Sequence, residues 1–540
     1  GVAPGLAGMD RRDNARSGGD ELRSGIMRPR IFFLSCGIAI VLCMLAVLPP
    51  LRAAPDAVFS EIDGFVQAQM ARHRIPGLAL AITQGHEVVH MAGFGSAGEG
   101  RSVTPQTPFR IASVSKPFTA LAVMQLVEQG RVELDAPVQT YIPWFEVADG
   151  EASQTITVRH LLNQTSGLSE ETYFRDHAPG TGLEEAVRDL RHAEPVAPPG
   201  TAFHYFNQNY TTLGILVEMV SGQAYGDYAR EHILAPLEMD GSAATLEGIA
   251  QLDLAQGHGI LFGFPVPREQ VISPHMMPSG GLVSTAEDMA HFLIAQNNGG
   301  VYGGTRLLPA EGVAQMHRPN TPGAPKGEGY GMGWIAERRN GTDILRHDGS
   351  LDNFRAFAWL LPEQDYGLAV LINQNGFVPA ILAYSDIPGG ITDLLTGIEP
   401  EPGLSMRTFY WILTAVIVVV AGLDVRWWLA ALPRWRRRAG TRSVAQVAGG
   451  IVASLGRAAV FYALPSLALT LLGRALTWEL AFTLAPTVMI FLWWNILMGL
   501  AQGLAKIWVV WASRGSTGSD RKQPGVGSMS GPDGNGGSSR

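Results

Sequence analysis

The chain has 540 residues, of which 46% are hydrophobic and only 16% charged, with a formal net charge of −8. It is longer than one hydrophobic core usually organises and poorer in charge than an ordinary soluble domain, so a large folded unit plus a part that lives in lipid is expected. Nucleic acid is excluded as a partner, because the charge is not basic and the clustered arginines sit beside apolar runs rather than on a soluble face.

In chain order, residues 1–26 are a polar upstream stretch, set apart from the fold. Ile31 to Leu48 reads IFFLSCGIAIVLCMLAVL, preceded by Arg28 and Arg30 and followed by Pro49, Pro50, Ala53 and Ala54. Residues 27–54 therefore read as a signal peptide, with an uncleaved N-terminal anchor as the competing reading. Either one exports the residues C-terminal to it. Cys36 and Cys43 both fall in this run, so the rest of the chain has no disulfide, thiolate nucleophile or thiolate metal cage.

Residues 55–398 have the texture of a soluble α/β unit. GLALAIT (77–83), a turn at Gln84 and Gly85, and EVVHMAG (87–93) predict a hairpin. Far along the chain DILRHDG, FRAFAWLL and YGLAVLINQ form more short strands. Sheet at both ends with helical patterns between implies that the ends pair in one antiparallel sheet and the middle adds a helical region. His86-Glu87-Val88-Val89-His90 matches the zinc-protease H-E-x-x-H, which works only on a helix. Between Gly85 and Gly93, with adjacent valines, it reads as a strand, where histidines four apart are separated by roughly 13 Å. No metal is expected there. Neither a G-x-S-x-G elbow nor a phosphate-binding glycine loop occurs, so no cofactor is expected.

Past Glu399, Pro400 and Pro402 the composition predicts three transmembrane helices at about 406–424, 457–473 and 480–505 within residues 399–513, then a Gly/Ser-rich disordered tail, 514–540. Arg426, Arg434, Arg436, Arg437, Arg438, Arg442 and Arg457 are read as one cytoplasmic loop, which puts residues 55–398 outside the cytoplasm and makes the chain a multi-pass membrane protein. Trp427, Trp428, Trp493, Trp494, Trp508 and Trp511 are read as interfacial belts. Asn495 and Lys506 are the intramembrane polar residues to watch, for helix contact or snorkelling.

Ser113-Val114-Ser115-Lys116 opens a helical run that ends at Gly130. Residues three apart share a helix face. A serine hydroxyl is a poor nucleophile until its proton is taken, and a lysine of lowered pKa can take it while the helix N-terminus favours developing negative charge. Lysine is rare in this chain and arginine abundant, which points to a need for a compact, pKa-adjustable amine. The spacing alone is weak, since Ser519 and Lys522 repeat it in the tail. Two further segments add weight. Tyr205 and Asn207 form Y-x-N on a polar loop leading into a helix expected at Tyr210 to Ser221, and RHDGS places His347, Asp348 and Gly349 at a strand end.

In this order the three segments resemble the active-site elements of the serine β-lactamase and penicillin-binding-protein superfamily, whose third element is a K-T-G or H-x-G strand. The resemblance spans about Val58 to Thr396 and includes TVRHLLNQTSGL, PSGGLVSTAEDMAHFL and YGMGW; it is similar to the class C branch with its esterases and D-alanyl-peptide hydrolases. It implies a β-lactamase-like α/β fold, an antiparallel sheet flanked by helices plus an all-α subdomain. It also implies acyl-enzyme chemistry on amide, ester or β-lactam bonds. Ser113 would be the nucleophile and Lys116 its activator. Tyr205 would be a general base in phenolate or relay form, and Asn207 would position Lys116 and the substrate amide. The N–H groups of Ser113 and Ser350 would form the oxyanion hole beside His347 and Gly349. His347 stands where β-lactamases carry lysine, and a part-time charge there shifts the expectation from β-lactams toward esters, amides and peptides. The implied partners are a small-molecule or peptide acyl substrate, cell-wall-derived or β-lactam compounds among them, and membrane lipid. The alternative is a non-hydrolytic membrane receptor or regulator that binds cell-wall peptides, raised by a membrane region larger than tethering needs.

Overall fold

A computed structural model of the chain describes residues 55–173, 177–438, 441–471 and 485–516. The export segment, residues 472–484 and the tail beyond Ser516 lie outside the described residues. The contacts divide the chain into residues 1–57 and 58–540, and of the former only the first turn of the helix Pro55–His73 is described.

An eight-stranded antiparallel sheet runs in the order Gly329–Tyr330, Ile335–Arg339, Thr342–Ser350, Arg355–Leu361, Tyr366–Ile372, Gly77–Gln84, Glu87–Gly98, Arg101–Ser102. The two ends of the unit meet as expected, with Leu78 opposite Ile372 and Gln84 opposite Tyr366. Gly77–Gln84 and Glu87–Gly98 form the expected hairpin. His90 lies on that strand opposite Ile82, its Nε2 donating at 2.8 Å to Asp63 Oδ1, and is stacked on Phe59. It is tied into packing, while His86 sits in the turn.

Alternation along the strands builds two cores. Leu78, Leu80 and Ile82 pack with Ile62 and Val66 of Pro55–His73 and with Ile387 and Ile391 of the helix Asp386–Leu395. Each such side chain contributes about 1.5–3 kcal/mol by leaving water. The opposite face carries Ala79, Ala81, Ala356, Ala358 and Ala369, and these small residues let the helix Ala286–Asn297 lie close. At Gly367 a Cβ would stand 3.0 Å from Leu293 Cβ.

On that side stands the helical region. Its centre is Ser115–Glu128, buried continuously from Ser115 to Leu126, as expected of a helix apolar around its circumference. It stops at Gly130, whose φ of 69° closes the C-terminus. The helix expected from Tyr210 begins earlier, as Asn207–Ser221. Gln164 explains the extra turn, because its Oε1 accepts from the Phe206 N–H at 3.1 Å and from Asn209 Nδ2 at 2.7 Å.

Among the described residues, three helices are long and apolar enough to cross a membrane: Met406–Arg437, Val444–Leu464 and Pro486–Ala512. The second starts well before the expected 457, so Arg457 lies inside a helix and not in the arginine loop. The cause is Asp424. Arg457 donates to both its oxygens at 2.6 and 2.9 Å and to Asn495 Oδ1, while Trp494 and Gln502 also donate to Asp424 at 2.9 and 3.0 Å. Trp494, expected in an interfacial belt, thus has its indole N–H engaged by that carboxylate. Lys506 donates to Gly450 O and Ser454 Oγ, both at 2.7 Å, which makes it a helix contact. Gly499 brings the second and third helices together, since a Cβ there would lie 2.8 Å from Ser454 O.

Removing one partner of a buried ion pair leaves the other uncompensated. Arg457→Ala should cost about 3–5 kcal/mol, read as a lowered thermal midpoint of the full chain in detergent, with Asp424→Leu/Arg457→Leu recovering most of the loss. An unchanged midpoint in Arg457→Ala would mean the network carries no stability.

Candidate active site

Ser113 lies in the 3-10 turn Ala112–Val114 that leads directly into Ser115–Glu128. Ala112 has φ 50°, a left-handed conformation that costs a non-glycine residue about 1–3 kcal/mol and persists only where neighbours over-determine it. The neighbours are identifiable. Ser115 Oγ donates to Ala112 O at 2.7 Å and accepts from the Leu282 N–H at 3.1 Å, and Ile111 N–H donates to Leu282 O. From the sheet side, Gly349 presses on the same turn so closely that a Cβ would sit 2.1 Å from Ile111 O. The strand Thr342–Ser350 can therefore reach Ser113 only with glycine at 349, and that approach delivers Ser350 to the wall of the same cleft.

Lys116 Nζ is completely buried and meets three oxygens: Ser113 Oγ at 3.1 Å, Asn207 Oδ1 at 2.8 Å and Ser279 O at 2.6 Å. Burial lowers its pKa to about 7, opposed by the Glu170 carboxylate. A neutral amine has two N–H donors and one lone pair. The carbonyl oxygens of Asn207 and Ser279 can only accept, so they take the two N–H groups and leave the lone pair for the Ser113 hydroxyl proton. Glu170 sets the orientation of Asn207 by accepting from its Nδ2 at 2.6 Å, which turns Oδ1 toward the lysine. The Tyr205 ring centre is 4.8 Å from Nζ.

His347 has 2% exposure, and burial, reinforced by Lys116, holds its pKa well below the usual histidine value. Its Nδ1 faces the Asp348 carbonyl at 3.0 Å, which requires Nδ1 to carry the proton. Nε2 is then an acceptor for the Tyr330 hydroxyl at 3.2 Å. The imidazole is neutral, so the part-time cation expected at this position is not present. Tyr205 lies between these groups, 6.3 Å from both the Tyr330 and His347 rings.

The cleft encloses about 370 Å³. Ser113, Asn207 and Ser350 line it together with Glu170, His275 and Gly280, while Lys116 stands behind its wall. No lysine or arginine is among the described residues lining it. Ser279, Glu170 and Tyr330 join the site without having been expected there from the sequence. Ser279 and Tyr330 lie in the phrases PSGGLVSTAEDMAHFL and YGMGW, but Ser279 acts through its carbonyl, which no side-chain pattern reports.

A sequence profile of the Beta-lactamase family matches residues 62–385. The chain belongs to the beta-lactamase family. Penicillin-binding protein 4 of Amycolatopsis lactamdurans is 30% identical over 345 residues, covering 62% of this chain and 90% of that protein. Protein flp of Staphylococcus aureus (strain MW2) is 29% identical over 335 residues, covering 60% of this chain, and the chain spans 65% of the length of that relative. Among solved structures, the octameric penicillin-binding protein homologue from Pyrococcus abyssi matches with TM-score 0.56 and 30% identity over 66% of this chain and 81% of that one. EstCE1, a hydrolase with promiscuous acyltransferase activity, matches in fold at TM-score 0.54 and 22% identity, over 63% and 99% of the two chains. The beta-lactamase fold accounts for the α/β unit of the chain.

Gly349→Ala should displace the strand from the Ser113 turn. A misplacement of about 1 Å costs catalysis on the order of 100-fold, so kcat on p-nitrophenyl acetate should fall by about that factor in a protein that still unfolds cooperatively. Undiminished turnover would mean that the strand does not set the cleft.

Proposed function

We propose that residues 55–398 are a serine hydrolase that works through an acyl-enzyme on ester or amide carbonyls, related to the class C branch, and that the three apolar helices hold it on the outer side of a membrane. The observation that carries the chemistry is the contact of a desolvated lysine with the Ser113 hydroxyl.

In the first half-reaction Ser113 Oγ forms a bond to the substrate carbonyl carbon as its proton passes to Lys116 Nζ. The negative charge on the former carbonyl oxygen is met by the N–H groups of Ser113 and Ser350. The bond to the leaving group then breaks, and the proton returns from Lys116 to the leaving atom, with the Tyr205 hydroxyl as relay. Water reverses the sequence, releasing the acid and restoring Ser113. Asn207 holds the lysine, and Glu170 holds Asn207.

Substrate preference is set by charge. A cleft lined by the Glu170 carboxylate, with no described lysine or arginine in its lining and with His347 buried and neutral behind it, favours neutral acyl compounds over those bearing a carboxylate, β-lactams among them. Hydrolysis is preferred to the receptor reading because a lysine held near neutrality at a serine hydroxyl is a costly arrangement that ligand binding alone does not need. Outward placement is supported by the ends of the first span. Met406 and Tyr410 pack into the sheet's second core, whereas Arg434, Arg436 and Arg437 lie at its far end.

The test is covalent labelling of the full chain with a neutral fluorophosphonate, read by peptide mass spectrometry. The label should appear on Ser113 and be absent from Ser113→Ala. Because Lys116 must be neutral to accept the proton, the labelling rate should rise about tenfold per pH unit below pH 7 and level off above it. Labelling elsewhere, or a rate flat from pH 5 to pH 8, would remove the proposal.

A further inference from the structure

The stretch of chain that forms one rim of the cleft is the same stretch that seats the unit on its membrane helices. The strands His258–Leu261 and Phe264–Pro267 pair antiparallel and turn at Phe262 and Gly263, both at positive φ. At this tip the Phe262 N–H donates to Thr487 Oγ1 at 2.7 Å, in the first turn of the last span. Gly263 lies on the first span, where a Cβ would sit 2.6 Å from Tyr410 Cβ. Arg74 secures the tip by donating to Gly263 O at 3.0 Å, with its guanidinium 4.2 Å from the Phe264 ring centre.

The level of the lipid can be read from the first span. Tyr410 is buried against protein, but Trp411 and Ile412 are 58% and 62% exposed. At about 1.5 Å rise per residue, this helix begins to need lipid within a turn of the point where the hairpin touches it. Around that point the protein exposes apolar side chains, Phe264 and Val266 on the hairpin. Ile381 and Leu382 are exposed on the helix Phe377–Leu382, which comes directly after Gly376, itself next to Ile260 of the hairpin. An apolar rim continuous with membrane spans is a surface for a leaflet, not for water.

From Phe264 the chain runs seven residues to Val271, which lines the cleft; seven residues reach at most about 25 Å. The segment is pinned. Arg268 pairs with Asp352 at 3.2 Å, its carbonyl accepts from Asn353 Nδ2 at 2.8 Å, and Gln270 Oε1 accepts from the Asp352 N–H. Hairpin, rim and the turn after Ser350 are thus tied to one another. On this side Val271, Met276 and Leu351 give the cleft apolar surface beside Ser273 and His275.

We infer that the hairpin tip sits in the headgroup layer and that the substrate is a membrane-borne amphiphile, an acyl ester or amide whose apolar part enters from the leaflet along Val271 while its carbonyl reaches Ser113. The inference rests on the hydrolase reading for its chemistry and on the hairpin contacts for its geometry.

Both halves can be tested on the full chain in lipid nanodiscs. A spin label at Phe264→Cys, in a Cys36→Ser/Cys43→Ser background, should collide with oxygen more readily than with a water-soluble nickel chelate. Water-like exposure to the chelate would overturn the seating. For the substrate, hydrolysis of p-nitrophenyl acetate is compared with that of p-nitrophenyl palmitate incorporated in the same nanodisc bilayers. Phe264→Ser/Val266→Ser should lower palmitate turnover about tenfold or more while acetate turnover stays within about twofold, as expected from withdrawing apolar side chains from the interface. Equal effects on both esters, or none, would overturn the membrane route and leave the hydrolase standing. Failure of the unsubstituted protein to hydrolyse either ester would overturn the hydrolase reading and the substrate class with it.

Discussion

The proposed acyl transfer depends on one amine kept out of water. Lys116 sits in the wall between the sheet and the helical region, where solvation is lost and its nearest neighbours are two carbonyl oxygens, a hydroxyl and the rings of Tyr205 and Tyr210. An ammonium in that position is expensive, so the proton leaves near neutral pH. Much of the surrounding structure serves this condition. The helix carrying Lys116 must be buried along nearly its whole length, and its neighbours must present acceptors without presenting a strong counter-charge. Glu170, the carboxylate whose charge opposes the shift, makes its hydrogen bond to Asn207 rather than to the lysine.

The second constraint is closeness of backbone. The strained turn at Ala112 and the strand end at Gly349 touch with no room for a Cβ between them. Strain at Ala112 is tolerated because Ser115, Leu282 and Ile111 fix the turn from several directions. The same contact explains why the sheet is laid out with its first and last long strands adjacent. Pairing Gly77–Gln84 with Tyr366–Ile372 joins the two ends of the unit in one sheet, whose strand Thr342–Ser350 packs against the Ser113 turn.

Much of this was legible in the residues. Period-two alternation marked the hairpin at 77–93 and the late strands, and the three short segments named Ser113, Lys116, Asn207 and Ser350, which the fold gathers within reach of one cleft. What was not legible depends on partners distant in the chain. The helix at Asn207 starts early because a glutamine forty residues away accepts from it. Arg457 reads as a loop arginine in one dimension and becomes a helix residue only when Asp424 is opposite. His347 looks like a pH-dependent cation until its burial and the Asp348 carbonyl fix it as a neutral acceptor for Tyr330. Backbone carbonyls that orient a side chain, such as Ser279 O, leave no mark on side-chain patterns.

The most direct measurement is the titration of Lys116 itself. The chain's lysines are Lys116, Lys326, Lys506 and Lys522, so nitrogen-15 labelling at lysine gives few Nζ signals, and Lys116→Met assigns the one of interest. That signal should report a change from ammonium to amine centred near pH 7, far below the usual lysine value of about 10.4. A Lys116 Nζ that stays protonated through pH 10 would contradict the proposed proton transfer from Ser113.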